Sequence, residues 1–149
     1  MAAPRSTHIV SYRSGLESGL ADWLRGAGIV FGYETAESVI KYTIPSRLAR
    51  YTPDFVLPNG IIIETKGQFV SADRKKHLLV REEYPELDIR FVFSNANARI
   101  GKKSETRYSD WCNGKNPKHY VFKYFQAPSA FQARSRNAEW LPDDWLKEQ

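Results

Sequence analysis

The chain has 149 residues, a length that favours one compact domain and suffices for a real core, since about 68–70% of the unfolded surface is buried at this size. Its 42% hydrophobic and 26% charged residues match ordinary globular usage and exclude wholesale disorder, while a formal net charge of +5 leaves room for a polyanionic partner. One cysteine, Cys112, excludes an intrachain disulfide. No apolar run approaches the roughly 18 residues of a membrane span and MAAPRSTHIV has no signal-peptide core, so a soluble cytoplasmic protein with no membrane partner is expected.

Residues 1–11 read as a flexible tail. The first helix is expected over 14–28, where Leu16, Leu20, Trp23 and Leu24 recur at helical spacing and Gly26 and Gly28 supply the stop. Ser14 with Glu17 three residues later matches a capping box. Two strand-like runs follow, 29–33 and 38–44, separated by a short acidic turn. Pro45 and Pro53 bracket SRLARYT (46–52), an extended or irregular segment. Runs 54–57 and 61–66 then flank Pro58-Asn59-Gly60, a hairpin signal in which Asn59 and Gly60 can take the positive φ of a tight turn.

A second helix is expected over 71–84, with Ser71 and Asp73 in its first turn and Pro85 closing it. A strand follows over 87–94, with Ile89, Phe91 and Phe93 on one face. Hairpin, helix and strand in that order predict an α/β fold whose helix crosses back over a sheet. Beyond Asn95 the pattern weakens to a short helix at 108–112, a strand at 119–125 and a polar loop at 126–138. Residues 101–138 carry eight basic residues, Lys102, Lys103, Arg107, Lys115, Lys118, Lys123, Arg134 and Arg136, against only Glu105 and Asp110. Such an excess suits phosphate contacts or a solvated face, and charge alone leaves both open. Trp111, Tyr120, Tyr124 and Phe125 lie among these residues as stacking platforms would, although core packing accounts for most of them.

The chemistry concentrates on the hairpin. Glu64 and Lys66 are two apart in a strand, so both point to one face, with Ile61, Ile63 and Thr65 on the other. Folding over the turn brings Asp54 within a residue or two of Glu64. Two carboxylates and a lysine then converge, and a divalent cation removes the repulsion between the acids. Hard oxygen ligands favour Mg²⁺, and Lys66 would orient an attacking water and stabilise charge on a phosphate. Pro53-Asp54 followed by Glu64-Thr65-Lys66 is the motif of the PD-(D/E)XK nucleases. The competing use is a surface Asp54 with a cross-strand Glu–Lys pair worth about 0.2–1 kcal/mol.

YRSGLE (12–17), YTPDFVLPNG (51–60), IIIETKG (61–67) and DRKKHLLVREEYPELDIRFVFSN (73–95) resemble the phage T7 endonuclease I family of Holliday junction resolvases. WLPDDWLKE (140–148) is similar to that family's C-terminal end, while the region between is longer than the family pattern. The resemblance implies a single nuclease domain over 12–149, with a catalytic core at 12–95, a bridge at about 39–51, and a C-terminal part at 96–149. It implies a mixed central sheet flanked by helices, and a homodimer in which the bridge exchanges between subunits. Glu17 of one subunit would join Asp54, Glu64 and Lys66 of the other. Glu17, Asp54 and Glu64 would bind one or two Mg²⁺ ions, with Mn²⁺ able to substitute. The implied substrate is branched DNA, above all the four-way junction, cut in paired nicks with 5′-phosphate and 3′-hydroxyl ends in a phage-infected cell's cytoplasm.

From the residues alone the capping box is the favoured role of Glu17, and only the resemblance assigns it to catalysis. Arg13, Arg74, Lys75 and Lys76 stand at helix starts, where basic side chains are poorly placed for the helix dipole and suit a phosphate ligand. His77 is the best-placed histidine to stand behind a phosphate or metal site, although a lone histidine on such a helix reads first as structural. The alternatives are a general PD-(D/E)XK nuclease acting on duplex or single strands, and a non-catalytic module that holds branched DNA.

Overall fold

The computed structural model describes residues 12–44 and 47–147. The expected tail at 1–11 and the break at Pro45 lie outside the described residues. Helix α1 (Gly15–Gly26) starts at Ser14, whose extended backbone leaves Oγ to accept the Glu17 N–H at 3.1 Å. Leu20, Ala21 and Leu24 are fully buried along one stripe, as their spacing requires. Gly28 then turns the chain at φ +73, and the Ile29 N–H reaches back to the Leu24 carbonyl. That exit consumes the start of the expected strand at 29–33, leaving β1 as Gly32–Tyr33. A 3₁₀ turn at Ala36–Ser38 likewise shortens the next run to β2 (Ile40–Ile44).

Segment 46–52 is more regular than expected. It supplies β3 (Arg47–Tyr51), antiparallel to β2 with Ile40 opposite Tyr51 and Ile44 opposite Arg47. Pro53 follows the end of the strand and removes none of its ladder donors. This hairpin forms a separate two-stranded sheet that docks on α2 (Ser71–Glu83). The Thr43 N–H donates to the Glu83 carboxylate, the Tyr84 hydroxyl donates to the Lys41 carbonyl, and Tyr42 and Tyr51 enter the core beside Val80.

The main sheet has the order β1–β4–β5–β6–β7, with β4 at Phe55–Val56, β5 at Ile62–Lys66, β6 at Ile89–Phe93 and β7 at Tyr124–Gln126. Pairs β1/β4 and β4/β5 are antiparallel, whereas β5/β6 and β6/β7 are parallel. The β4–β5 turn forms as its sequence dictates, but Gly60 alone takes positive φ (+89). Asn59 instead uses its side chain, accepting the Ile61 N–H at 3.1 Å and donating to the Trp145 carbonyl at 2.8 Å. Helix α2 carries the chain from β5 to its parallel neighbour β6, whose five residues are all buried, as a central strand covered on both faces requires.

The two faces of this mixed sheet carry separate cores. One gathers Ile62, Ile89, Phe91 and Phe93 with α2 and with α3 (Tyr108–Cys112). The other gathers Phe55, Ile61, Ile63 and Val92 with α1 and with Trp140, Leu141 and Trp145. Trp145 lies on α4 (Asp143–Lys147), a short helix the sequence did not announce, and the Arg90 guanidinium sits 5.1 Å above its ring centroid. The strand expected over 119–125 starts late because His119 has φ +57 and the Phe122 N–H is taken by the Cys112 carbonyl. The loop expected at 126–138 contains one 3₁₀ turn, Gln132–Arg134. Among the described residues no helix is long and apolar enough to cross a membrane.

Candidate active site

Strand register assembles the site. Phe55 pairs with Ile63 and Val56 with Ile62, so one step toward the open end of the hairpin Asp54 faces Glu64. The Asp54 N–H donates to Glu64 Oε2 at 2.9 Å, and the Tyr51 hydroxyl donates to the same oxygen at 2.7 Å. Asp54 Oδ2 accepts from the Thr65 N–H at 2.9 Å and from Thr65 Oγ1 at 3.0 Å. Alternation along β5 sends Ile62 into one core and Ile61 and Ile63 into the other, leaving Glu64 and Lys66 together at the strand's end. Lys66 Nζ stands 3.7 Å from Glu64 Oε1 and 3.6 Å from Asp73 Oδ2.

Only half of the expected capping box at α1 forms. Ser14 Oγ accepts the Glu17 N–H, while the Glu17 carboxylate turns inward and accepts the Tyr33 hydroxyl at 3.1 Å. There it joins Glu34 and Asp54, one carboxylate oxygen of each lying within 4.8 Å of the others. Arg13 pairs with Glu34 and approaches Asp54 Oδ1 at 3.6 Å. Glu17, Asp54 and Glu64 are only 4%, 5% and 2% exposed, which sets them apart from an ordinary solvated acidic face.

Burial and the facing Asp54 carboxylate push the Glu64 carboxyl up to about 8, against the pull of Lys66, the Tyr51 hydroxyl and the Asp54 N–H. Burial, then Asp54, also raises Glu17, while Tyr33 and Arg13 oppose the rise. The donors are hard carboxylate oxygens held close together at a cost in repulsion, a set that fits a divalent cation such as Mg²⁺. Glu17, Asp54 and Glu64 line a cavity of about 330 Å³ together with Arg13, Lys66, Asp73 and Lys76.

All four expected catalytic residues, Glu17, Asp54, Glu64 and Lys66, therefore line one cavity. The tightest carboxylate triplet among the described residues, however, is Glu17, Glu34 and Asp54, with Glu64 hydrogen-bonded beside it. The sequence reading passed over Glu34 as part of a short acidic turn. Tyr33, Tyr51 and Thr65 were missed as well, because nothing local distinguishes a tyrosine or threonine that donates to a carboxylate from one that packs. Of the four basic candidates, Arg13 and Lys76 line the cavity, with Lys76 Nζ also 5.4 Å from the Tyr51 ring centroid. Arg74 donates to the Phe69 carbonyl at the entry to α2, and Lys75 is exposed on the helix. The eight basic residues of 101–138 are all exposed. Trp111 is buried and stacks on Phe122, and Tyr120, Tyr124 and Phe125 pack partly buried against the two cores.

Comparison with known proteins finds a family that spans the whole chain. The family described as phage endonuclease I matches residues 1–149. The "Endonuclease I" of Escherichia phage T7 is 52% identical over 138 residues, 93% of this chain and 80% of that protein. The "Endodeoxyribonuclease 1" of Enterobacteria phage T3 is 53% identical over 110 residues, 74% of this chain and 71% of that protein. A family match of this extent, together with identity above one half to two of its phage proteins, establishes that the chain belongs to the phage endonuclease I family.

Proposed function

We propose that the protein is a metal-dependent DNA endonuclease that resolves four-way (Holliday) junctions and related branched DNA, acting in the cytoplasm of a phage-infected cell. The observation that carries this reading is the convergence of Glu17, Asp54, Glu64 and Lys66 on one cavity whose carboxylates are buried. Asp54, Glu64 and Glu17 would hold Mg²⁺ in this reading, with the Glu34 carboxylate beside Glu17 and Asp54 and Mn²⁺ able to substitute, one or two ions to each site. The ion supplies charge neutralisation among the acids and polarisation of the scissile phosphate.

Asp54 is held by Thr65 and Glu64 by Tyr51 and the Asp54 N–H, so neither carboxylate needs to reorganise when substrate arrives. The Lys66 ammonium orients the attacking water and stabilises charge gathering on the phosphate. Water adds to phosphorus, the bond to the 3′ oxygen breaks, and that oxygen takes a proton, leaving 5′-phosphate and 3′-hydroxyl ends. Arg13, Lys76 and the exposed basic residues of 101–138 contact the backbone, in keeping with a substrate defined by geometry rather than base sequence.

The acting form in this reading is a homodimer in which the bridge at 39–51 exchanges between subunits. A two-fold pair of sites suits two symmetric cuts in a four-way junction. Within one chain the bridge folds back as the β2–β3 hairpin, and Glu17 reaches the same chain's Asp54. Opening that hairpin hands α1 to the partner and rebuilds the same carboxylate cluster between chains.

The test compares nicking of a synthetic four-way junction with that of a linear duplex of matching sequence, in Mg²⁺ and in chelator, with Asp54→Ala and Lys66→Ala as controls. Paired, metal-dependent cuts confined to the junction and lost in both variants support the reading. Equal cutting of the duplex reduces it to a general PD-(D/E)XK nuclease. Tight junction binding without cleavage in Mg²⁺ or Mn²⁺ makes the protein a binding module.

A further inference from the structure

Glu64 is approached from α2 by a side chain that the proposed chemistry does not use. His77 is fully buried, and neither of its ring nitrogens has a hydrogen-bond partner. Its ring stands edge-on to Tyr51 and to Phe91, with centroids 5.1 and 4.9 Å away. Its Nε2 lies 3.8 Å from Glu64 Oε1. That is the carboxylate oxygen which Tyr51 and the Asp54 N–H leave free, since both donate to Oε2. Lys66 Nζ stands 3.7 Å from the same oxygen.

An aromatic pocket of this kind favours an apolar occupant, because a buried imidazole with unpaired nitrogens loses its water without replacement. Leucine would fill similar space without that loss. What separates histidine from leucine here is the one polar group its Nε2 faces, the free oxygen of Glu64. We propose that His77 is a positioning residue for Glu64, donating from Nε2–H to Oε1 when the site is loaded, so that both oxygens of the carboxylate are held by the protein. The remaining gap closes with a shift of about 1 Å in the imidazole ring. Burial, and then the Lys66 and Lys76 ammonium groups, hold the ring in its neutral form, which leaves one N–H to place. The inference rests on the metal-dependent reading above.

The test uses full-length protein stripped with chelator, Mn²⁺ titrated calorimetrically without DNA, and ¹⁵N shifts of the imidazole in the protein reloaded with diamagnetic Mg²⁺. Expected are an Nε2–H tautomer at neutral pH, Mn²⁺ affinity about 10–100-fold weaker in His77→Leu, and affinity within about threefold of the parent in His77→Gln, whose amide replaces the donor. The melting temperature of metal-free His77→Leu should equal or exceed the parent's, a split that a packing role would not produce. Unchanged Mn²⁺ affinity in His77→Leu, or an Nδ1–H tautomer, overturns the proposal. If His77→Leu does not fold, the tautomer and His77→Gln carry the test. An Nε2–H ring with affinity retained in His77→Gln supports the role, and an Nδ1–H ring ends it. Asp54→Ala separates the two levels. Mn²⁺ affinity untouched by Asp54→Ala removes the metal site itself, whereas loss there with none in His77→Leu removes only the role of His77.

Discussion

The Tyr51 hydroxyl donates a 2.7 Å hydrogen bond to Glu64 Oε2 from the last residue of β3, in the small outlying sheet, to a strand of the main one. Docking of the β2–β3 hairpin and orientation of a candidate metal ligand are thereby the same event. Tyr51→Phe keeps the ring against His77 and removes a donor that holds the Glu64 carboxyl down. The variant should lose about 1 kcal/mol of stability in urea unfolding. Its cleavage rate should fall about tenfold near neutral pH and recover partly in more alkaline buffer, because Glu64 ionises later. A pH–rate profile superimposable on the parent's would refute the coupling.

The raised Glu64 carboxyl makes stability depend on pH. In the native state it titrates near 8, against an ordinary value of 4.5, so between those limits the folded protein holds a proton that the unfolded chain has released. The associated stability is fully present below about pH 4.5 and is lost as pH rises toward 8. Metal-free protein should therefore melt at progressively lower temperature across this window. Millimolar Mg²⁺ or Mn²⁺ should raise the melting temperature most at its alkaline end, where the ligands are ionised. Scanning calorimetry at several pH values, with metal and with chelator, checks both slopes.

Glu17→Gln removes one charge from a buried carboxylate cluster while keeping an acceptor for the Tyr33 hydroxyl. Relief of repulsion should stabilise the metal-free protein by about 0.5–2 kcal/mol. Junction cleavage should fall by about 10²–10³-fold. A variant that keeps full cleavage activity would remove Glu17 from the reaction.

Gly19→Ala tests how α1 meets the C-terminal segment. A Cβ on Gly19 would stand 2.7 Å from the Trp140 indole, which is itself buried. Glycine to alanine inside a helix ordinarily gains about 0.5–1 kcal/mol. Here displacement of the indole should outweigh that gain and give a net loss of about 1–3 kcal/mol. Urea unfolding followed by tryptophan emission reads both the stability and the movement of Trp140.

Much of the site was legible because its logic is local. The period of two on β5 puts Glu64 beside Lys66, and Pro58-Asn59-Gly60 returns the chain so that Asp54 faces Glu64. Helix α2 and strand β6 followed the same way from Ser71, Pro85 and the alternating Ile89, Phe91 and Phe93. The misses share one cause, which is competition from distant partners. Glu17 fits a capping box by spacing, yet its carboxylate goes to Tyr33 because β1 packs close to α1. Arg47–Tyr51 pairs as β3 because β2 offers it a ladder, and His119 cannot continue a strand while it holds φ +57.

Periodicity and turn chemistry were enough to place the Asp54, Glu64 and Lys66 triad, because short-range backbone geometry decides which side chains share a face. The folded arrangement alone brought Glu34 to Glu17 and Asp54, Tyr51 to Glu64 Oε2, and His77 to Glu64 Oε1. Those contacts join residues from separate elements, and their geometry follows from how α1, the β2–β3 hairpin and α2 pack around the main sheet. Burial then does what no sequence pattern encodes. By removing water from clustered carboxylates it raises the Glu64 carboxyl to about 8 and makes a divalent cation the favoured partner.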